Sequence, residues 1–376
     1  MIELEHCLDR SGRLVVGSAP QGADALLVAR YLAGHPGRRL IHVARDDARM
    51  AQMAASVAFF APEVRVIEFP AWDCLPYDRT SPNGHVVARR IDALTTLAAE
   101  LADERSDRPP TLIATTVNAL LQRVPPVTTF ANAALKARVG ERVDRDQLLA
   151  FFERNGYVRA TTVREPGEYA VRGGIIDVFP TGSDMPLRLD LFGDELEEIR
   201  AFDPVDQRTT ESRKQLVLSP VSEITLTPER IRLFREGYRA LFGAAAASDP
   251  IYEAVSAGQR FAGMEHWLPL FYPELGSILD YLPGVPVTFD DQTQEARDAR
   301  LDTIRDYFQA RASGGAGADS GGVYRPVPPE RLYLTAEDWD AYLGTRATVR
   351  FTPFEIAGTK GTRDAGAKAG LNFAEA

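Results

Sequence analysis

Short apolar runs alternate with helical patterns through residues 1–122, and this alternation constrains the fold more than any other feature. The apolar runs predict strands at residues 14–16, 40–43, 64–67 and 111–114. The helical patterns between them predict helices at residues 23–33, 46–59 and 86–101. Strands and helices in alternation form βαβ units, in which the strands are parallel. The sequence therefore predicts an α/β domain on a largely parallel sheet.

The pattern changes after Pro125 and Pro126. A helix is predicted at 144–155, followed by short strands separated by turn signals such as Pro166-Gly167 and Gly173-Gly174. These strands are predicted at residues 158–162, 169–172, 175–179, 187–192 and 198–202. They indicate a small α+β domain with an antiparallel sheet, inserted in the larger α/β module.

The rest of the chain shows a helical pattern at 228–242, a strand-like stretch at 279–289 and a glycine-rich linker or long loop at 313–322. The expected domains are the first part of a degenerate nucleotide-binding-like α/β domain, the small α+β domain, the second part of the α/β module, and a linker or the start of another domain. Their expected ranges are 1–122, 123–212, 213–345 and 346–376.

Charge and cysteine content exclude several classes of protein. The 43 Lys and Arg against 53 Asp and Glu give a net charge of −10, so bulk charge would not hold the chain on nucleic acid. Cys7 and Cys74 are too few for a disulfide framework, which fits a reducing cytoplasm. No apolar stretch is long enough to span a bilayer, so we expect a cytoplasmic protein without a membrane partner.

Residues 17–24 lie between a predicted strand and a predicted helix, where a phosphate-binding loop would lie. Gly17 and Gly22 have the spacing of GxxxxGK[ST], but Ala23 replaces the Lys and Asp24 replaces the Ser or Thr. The Lys of a working loop contacts the β and γ phosphates and its hydroxyl residue holds Mg²⁺, whereas the Asp24 carboxylate would repel a triphosphate. Backbone amides at the helix start could still bind an anion. We expect a tight structural turn here, and no ATP hydrolysis.

An apolar run followed by Asp290 and Asp291 is weakly similar to a Walker B strand. Pro286 lacks the backbone donor of a central strand, so an acidic turn after an edge strand is the favoured interpretation. The histidines and cysteines show no zinc-ligand spacing, and no GxSxG motif is present. The residues therefore indicate no catalytic or metal site.

Three blocks of sequence resemble a known family. The first is FPAWDCLPYD at 69–78 with RRIDAL at 89–94, the second is PGEYAVRGGIIDVFP at 166–180 with LRLDLFGDE at 187–195, and the third is GMEHW at 263–267 with DYLP at 280–283. Together they are similar to the amino-terminal part of the bacterial transcription-repair coupling factors, the Mfd family. They are nearly as similar to the corresponding module of UvrB, an excision-repair subunit.

Two departures favour the coupling factors over UvrB. UvrB has an intact GKT loop, whereas this chain has Ala23 and Asp24. UvrB also has a long aromatic hairpin after its Tyr-Asp block, and the short interval from Tyr77-Asp78 to the helix near Arg89 leaves no room for one. A UvrB-like subunit that binds DNA or nucleotide is the alternative. The resemblance also implies that the chain is an amino-terminal fragment of a longer protein.

The resemblance implies a non-catalytic module that recruits UvrA to stalled RNA polymerase during transcription-coupled nucleotide excision repair. It implies that the parent protein is an ATP-dependent translocase on double-stranded DNA that displaces RNA polymerase. The ATP and Mg²⁺ would bind motor domains outside this chain, which itself would need no cofactor. A carboxyl-terminal domain of the parent would mask the UvrA-binding surface until the motor engages.

The same resemblance implies where UvrA would bind. Arg172 matches the Arg of a Val-Arg-Gly motif in UvrB, and its guanidinium can bind a carboxylate through two parallel hydrogen bonds. Arg188 and Asp190 are second candidates, since residues two apart on a strand share a face. Phe179 could be an apolar anchor or a core residue. Gly173-Gly174 would leave the sheet open to close approach.

Overall fold

The computed structural model describes residues 4–8, 12–103, 107–131, 133–313, 324–359 and 361–368. Its α-helices are α1 (Glu5–Leu8), α2 (Ala23–Leu32), α3 (Asp47–Phe60), α4 (Gly84–Ala102), α5 (Val117–Leu121), α6 (Arg145–Arg154), α7 (Pro228–Phe242), α8 (Pro250–Ser256), α9 (Thr293–Ser313), α10 (Pro329–Leu332) and α11 (Ala336–Gly344). Its strands are β1 (Arg13–Gly17), β2 (Arg39–Ala44), β3 (Arg65–Phe69), β4 (Thr111–Thr116), β5 (Leu135–Arg138), β6 (Val158–Arg159), β7 (Glu168–Arg172), β8 (Ile175–Val178), β9 (Leu187–Phe192), β10 (Glu195–Phe202), β11 (Thr209–Arg213), β12 (Gln215–Leu218), β13 (Val287–Phe289), β14 (Thr348–Phe351) and β15 (Thr362–Asp364).

The larger domain is built on a parallel sheet of seven strands in the order β15-β1-β14-β13-β2-β4-β3. Helices α2 and α3 pack on one face, and α4, α5 and α11 pack on the other, each face forming its own apolar core. Every residue of β4 is buried, as expected for a strand covered on both faces. The prediction of an α/β domain with a parallel sheet is confirmed.

The helices of this domain follow local sequence rules. Asp46 begins α3 by accepting a hydrogen bond from the Arg49 amide, and Asn83 begins α4 by accepting one from the His85 amide. In α4 the buried residues recur at intervals of three and four, as in Ile91, Leu94 and Ala98, so one face of the helix meets the sheet. The helices predicted at 46–59 and 86–101 are therefore confirmed.

The smaller domain has six strands in the order β11-β10-β9-β8-β7-β6, antiparallel except for the short β6. Helix α6 covers one face, where Phe151 and Phe152 pack with Tyr169 and Leu189. Strands β12 and β5 form a separate antiparallel pair beside it. The predicted antiparallel sheet is confirmed.

A buried ion pair joins α4 of the larger domain to the segment that follows β12. The fully buried Arg90 of α4 donates from its Nε to Oε1 of Glu223, over 2.6 Å, and Glu223 follows the smaller domain in sequence. The Trp72 Nε1 donates to the same oxygen, and the Arg90 guanidinium also lies 4.3 Å from the centre of the Phe69 ring. A charge buried this deeply is tolerated because every partner is held in place.

Two expectations are corrected by the strands that close the large sheet. Strand β13 lies between β14 and β2, not at an edge. Pro286 is compatible with this position because it precedes the strand, and its carbonyl accepts a hydrogen bond from the Ile41 amide. Strands β14 and β15 both pair with β1, so residues 348–351 and 362–364 belong to this sheet and are no linker. Of the glycine-rich segment predicted at 313–322, Ser313 ends α9 and the remainder lies outside the described residues.

Segment 70–83, between β3 and α4, contains no strand, which agrees with the absence of a long hairpin after Tyr77-Asp78. Among the helices of the described ranges, none combines the length and apolarity needed to cross a bilayer.

Candidate functional site

The antiparallel sheet has one face turned away from α6, and charged side chains cover it. Along β9 the apolar residues Leu187, Leu189 and Leu191 are buried, while Arg188 and Asp190 alternate with them on the opposite face. Asp177 and Arg200 lie beside Arg188 on the neighbouring strands. The prediction that Arg188 and Asp190 share a face agrees with this alternation.

Arg188 and Asp177 form the fixed centre of this face. Asp177 is buried and accepts hydrogen bonds from Nε and Nη2 of Arg188, at 2.7 and 3.0 Å. The Arg188 guanidinium also lies 4.8 Å from the centre of the Phe202 ring. The hydrogen bonds that Arg188 donates to Asp177 raise the pKa of Arg188 above its usual value. Arg188 is therefore a fixed cation that shapes the surface.

Arg172 is the more available arginine. Its side chain is 54% exposed, and its Nη1 lies 3.8 Å from Oδ2 of Asp177. Its Nη2 donates to the Thr161 carbonyl, which directs the guanidinium along the sheet face. Asp190 is also partly exposed, with Oδ2 3.6 Å from Nη2 of Arg200. Arg172 and Asp190 can therefore each bind a group of opposite charge from a partner.

Phe179 cannot be an exposed anchor, because its ring is buried with Val163, Ala170 and Phe202. The exposed aromatic residue is Phe192, which is 75% accessible to solvent. Sequence reasoning missed Phe192, although the alternation through residues 188, 190 and 192 places it on the same face of β9.

The two glycines of the β7–β8 turn allow the backbones to approach closely. Gly173 adopts a φ of 62°, which favours glycine. A Cβ atom on Gly174 would lie 2.7 Å from the carbonyl oxygen of Leu191, the residue before Phe192. The turn that carries Arg172 is thereby held against the end of β9, where Phe192 is exposed.

The degenerate phosphate-binding loop forms a second candidate site. The loop joins β1 to α2, as predicted, with Gly22 at a φ of 90° before Ala23 begins the helix. Asp24 is 2% exposed, and its Oδ1 accepts from the amides of Gly22 and Ala25 at 2.9 and 2.7 Å. The Asp24 carboxylate thus occupies amides that an anion would need.

Other amides of the loop are also engaged by the chain itself. The Ser18 amide donates to the Phe354 carbonyl at 2.8 Å, and the Ala19 amide donates to the Thr352 carbonyl at 3.0 Å. A Cβ atom on Gly17 would lie 2.3 Å from Cγ1 of Ile356. The segment after β14 therefore lies directly over the loop.

Arg49 links the loop to the end of β13. Its Nη2 donates to Oδ2 of Asp24 at 2.8 Å, and its Nε and Nη2 each donate to Asp290 at 3.1 Å. Burial raises the pKa of the Asp24 carboxyl despite the opposing charge of Arg49. Burial also acts to raise the pKa of Asp290, but the hydrogen bonds and charge of Arg49 bring it below its usual value.

Asp290 is 4% exposed and follows a central strand, so the interpretation as an acidic turn after an edge strand was wrong for this residue. The Asp24–Arg49–Asp290 triad was also missed, because Arg49 carries no motif and Asp290 is distant in sequence. No group of His, Cys, Asp and Glu side chains suited to a metal ion occurs in the parts of the chain that the structure describes.

Comparison with known proteins gives matches over both domains. Residues 135–224, which contain the whole antiparallel sheet, match the family model of the UvrB interaction domain. The chain is 30% identical over 317 residues to a transcription-repair-coupling factor of Rickettsia bellii, which covers 84% of this chain and 28% of that protein. The corresponding protein of Haemophilus influenzae is 30% identical over 342 residues, covering 90% of this chain and 28% of the relative.

The transcription-repair-coupling factor of Escherichia coli is 32% identical over 328 residues, covering 86% of this chain and 27% of the relative. The chain thus spans about a quarter of the length of the curated relatives it matches. The resemblance found in the sequence blocks is confirmed: most of this chain is similar to transcription-repair-coupling factors, and residues 135–224 match the UvrB interaction domain.

Proposed function

We propose that this chain recruits UvrA, and that the charged face of the antiparallel sheet is the surface that binds it. The observation that carries the proposal is the grouping of Arg172, Asp190 and Phe192 at one end of this face, inside the UvrB interaction domain. An exposed aromatic ring beside opposite charges is typical of a protein interface.

The three side chains have different parts in this proposal. Phe192 supplies the apolar area that would be removed from water on binding. Arg172 presents a guanidinium to a carboxylate of UvrA, and Asp190 accepts from a cationic group. The hydrogen-bonded pair of Arg188 and Asp177 fixes the geometry of the same face. Aromatic and arginine side chains often account for most of the energy of an interface, at about 2 kcal/mol or more each.

Binding of UvrA by the purified chain tests the proposal, and the sheet offers a matched control. Phe192 and Val205 are both strongly exposed apolar residues of the same sheet, but Phe192 ends β9 whereas Val205 lies in the β10–β11 turn at the opposite end of the strands. We expect Phe192→Ala and Arg172→Ala each to weaken binding about tenfold or more, by loss of a central contact. Val205→Ala should bind as the unmodified chain does. Equal affinities for all four proteins would refute the assignment of this face.

We further propose that the loop at Gly17–Asp24 does not hydrolyse ATP, so that the chain acts as a docking module. Support comes from the internal use of the loop amides and from the carboxylate of Asp24 where a triphosphate would need a cation. Purified chain is expected to give no ATP turnover, with or without DNA. Turnover that co-purifies with the chain would favour the UvrB-like alternative instead.

The role of a longer parent protein is part of the same proposal. Such a parent would move along double-stranded DNA by ATP hydrolysis in other domains and displace stalled RNA polymerase, and a carboxyl-terminal domain would mask the sheet face. Separated from that mask, this chain should bind UvrA without further activation. The comparison of its affinity with that of a full-length relative tests this step.

A further inference from the structure

A cavity of about 210 Å³ lies on the large domain, away from the antiparallel sheet. Its sides come from the first turns of α9 and from α11, and its floor comes from β13, β14 and β1. Neither the loop at Gly17–Asp24 nor the UvrB interaction domain contributes to it. Its volume is smaller than that of most small-ligand sites, so it suits a single side chain of a bound segment better than a whole ligand.

Strand register explains which side chains form the floor. Val15, Arg350 and Phe289 lie side by side on β1, β14 and β13, and Arg13 and Thr348 form the next row. Because side chains alternate along each strand, all five project from the same face of the sheet. Arg350 is therefore at the middle of the floor, with Arg13 diagonal to it.

Three guanidinium groups surround the cavity, and they come from three elements. Arg350 donates from Nη1 to Oε1 of the uncharged Gln294 at 3.1 Å. Arg13 is 65% exposed and lies 3.1 Å from Oδ1 of Asp340. Arg297, in the first part of α9, forms an ion pair with Asp298 at 2.8 Å. Of the described residues that line the cavity, Asp340 is the one carboxylate, so the lining is cationic although the chain is acidic overall.

The other wall is apolar. Trp339 and Leu343 project from α11, and the Trp339 ring centre lies 6.1 Å from that of Phe289. An apolar wall facing cationic groups suits a ligand that has an apolar side chain flanked by negative charges. The arginines stand at separate positions on the floor and sides, which suits several carboxylates along a peptide better than one compact phosphate.

We propose that this cavity binds an acidic peptide segment of a partner protein, with one large apolar or aromatic side chain seated against Trp339. Arg350 would bind a carboxylate next to that side chain, and Arg13 at the mouth would bind a second one. This surface is distinct from the sheet face proposed for UvrA, so either proposal can fail without the other.

Fluorescence anisotropy with a labelled peptide tests this proposal on the full chain. The probe is acetyl-Gly-Asp-Glu-Phe-Asp-Glu-Gly-amide, and the same peptide with Lys at its four acidic positions is its control. We expect saturable binding of the acidic probe alone, weakened about tenfold in Arg350→Gln through loss of a charge-assisted hydrogen bond. Arg208→Gln removes a strongly exposed arginine elsewhere and should leave binding unchanged.

Thermal unfolding of the variants shows whether Arg350→Gln remains folded, and Arg13→Gln at the exposed mouth provides a second variant with little effect on folding. Absence of saturable binding to the folded protein would overturn the proposal. So would equal weakening by Arg208→Gln, which would indicate only general attraction. Displacement of the probe by inorganic phosphate at equal concentration would show a small-anion site instead. Displacement of the probe by self-association of the chain would show that the cavity binds a second copy of the chain.

Discussion

Replacement of Arg49 by Met is expected to destabilise the large domain strongly. Asp24 and Asp290 are both buried, and the hydrogen bonds from Arg49 at 2.8 and 3.1 Å bring one cation between them. Met retains much of the aliphatic volume but leaves two buried carboxylates without this partner. Removal of one member of a buried ion pair costs about 3–5 kcal/mol, and that is the expected loss in the free energy of unfolding at pH 7.

Urea unfolding followed by circular dichroism measures this loss. Arg232→Met is the matched control, because Arg232 pairs with Glu236 on the exposed surface of α7 and its loss should cost about 0.5 kcal/mol or less. The penalty in Arg49→Met should diminish at lower pH, because a protonated Asp24 or Asp290 is no longer a buried charge. A loss below about 1 kcal/mol, or no difference from the control, would refute the assignment of the triad as a buried electrostatic unit.

Three further changes test other parts of the structure. Gly174→Ala should destabilise the smaller domain by about 1–3 kcal/mol in chemical unfolding, because the new methyl group meets the Leu191 carbonyl oxygen; an unchanged midpoint would show that the turn can relax. Glu223→Ala should cost about 3–5 kcal/mol by leaving Arg90 buried without its carboxylate, and thermal unfolding that matches the unmodified chain would contradict this. Burial lowers the pKa of His42 to about 4, so the folded protein binds fewer protons than the unfolded chain between about pH 6.5 and pH 4, and stability falls as pH falls through that window. In His42→Gln the free energy of unfolding, measured with urea at pH 7 and pH 5, should fall less between the two pH values than in the unmodified chain. An equal fall in both proteins would disprove the role of His42.

Local sequence patterns determined the elements well. The spacing of apolar residues predicted α4 and α7 closely, since each helix needs only a periodic apolar face and a capping residue beside it. The replacement of Lys and Ser or Thr by Ala23 and Asp24 was also readable directly, because the chemistry of a phosphate-binding loop depends on adjacent residues.

Sequence analysis named Phe179 as a candidate anchor and missed Phe192, because the sequence alone does not show which of the two rings is buried. Both phenylalanines lie at the ends of predicted strands, and each is flanked by apolar and polar residues. Burial decides between them, and burial depends on which strand packs beside each ring. Phe179 meets Phe202 from β10, while Phe192 reaches the end of its strand with no comparable cover.

The sequence by itself determined the main helices and strands of the two domains, the two kinds of sheet and the loss of the loop's cation. Only the tertiary structure decided that β13 enters the middle of the large sheet and brings Asp290 to Arg49 and Asp24. These residues are separated by up to 266 positions, from Asp24 to Asp290, and strand order is set by long-range pairing and burial. Local periodicity reports which face of a strand is apolar, but it carries no information on which neighbour that strand will have.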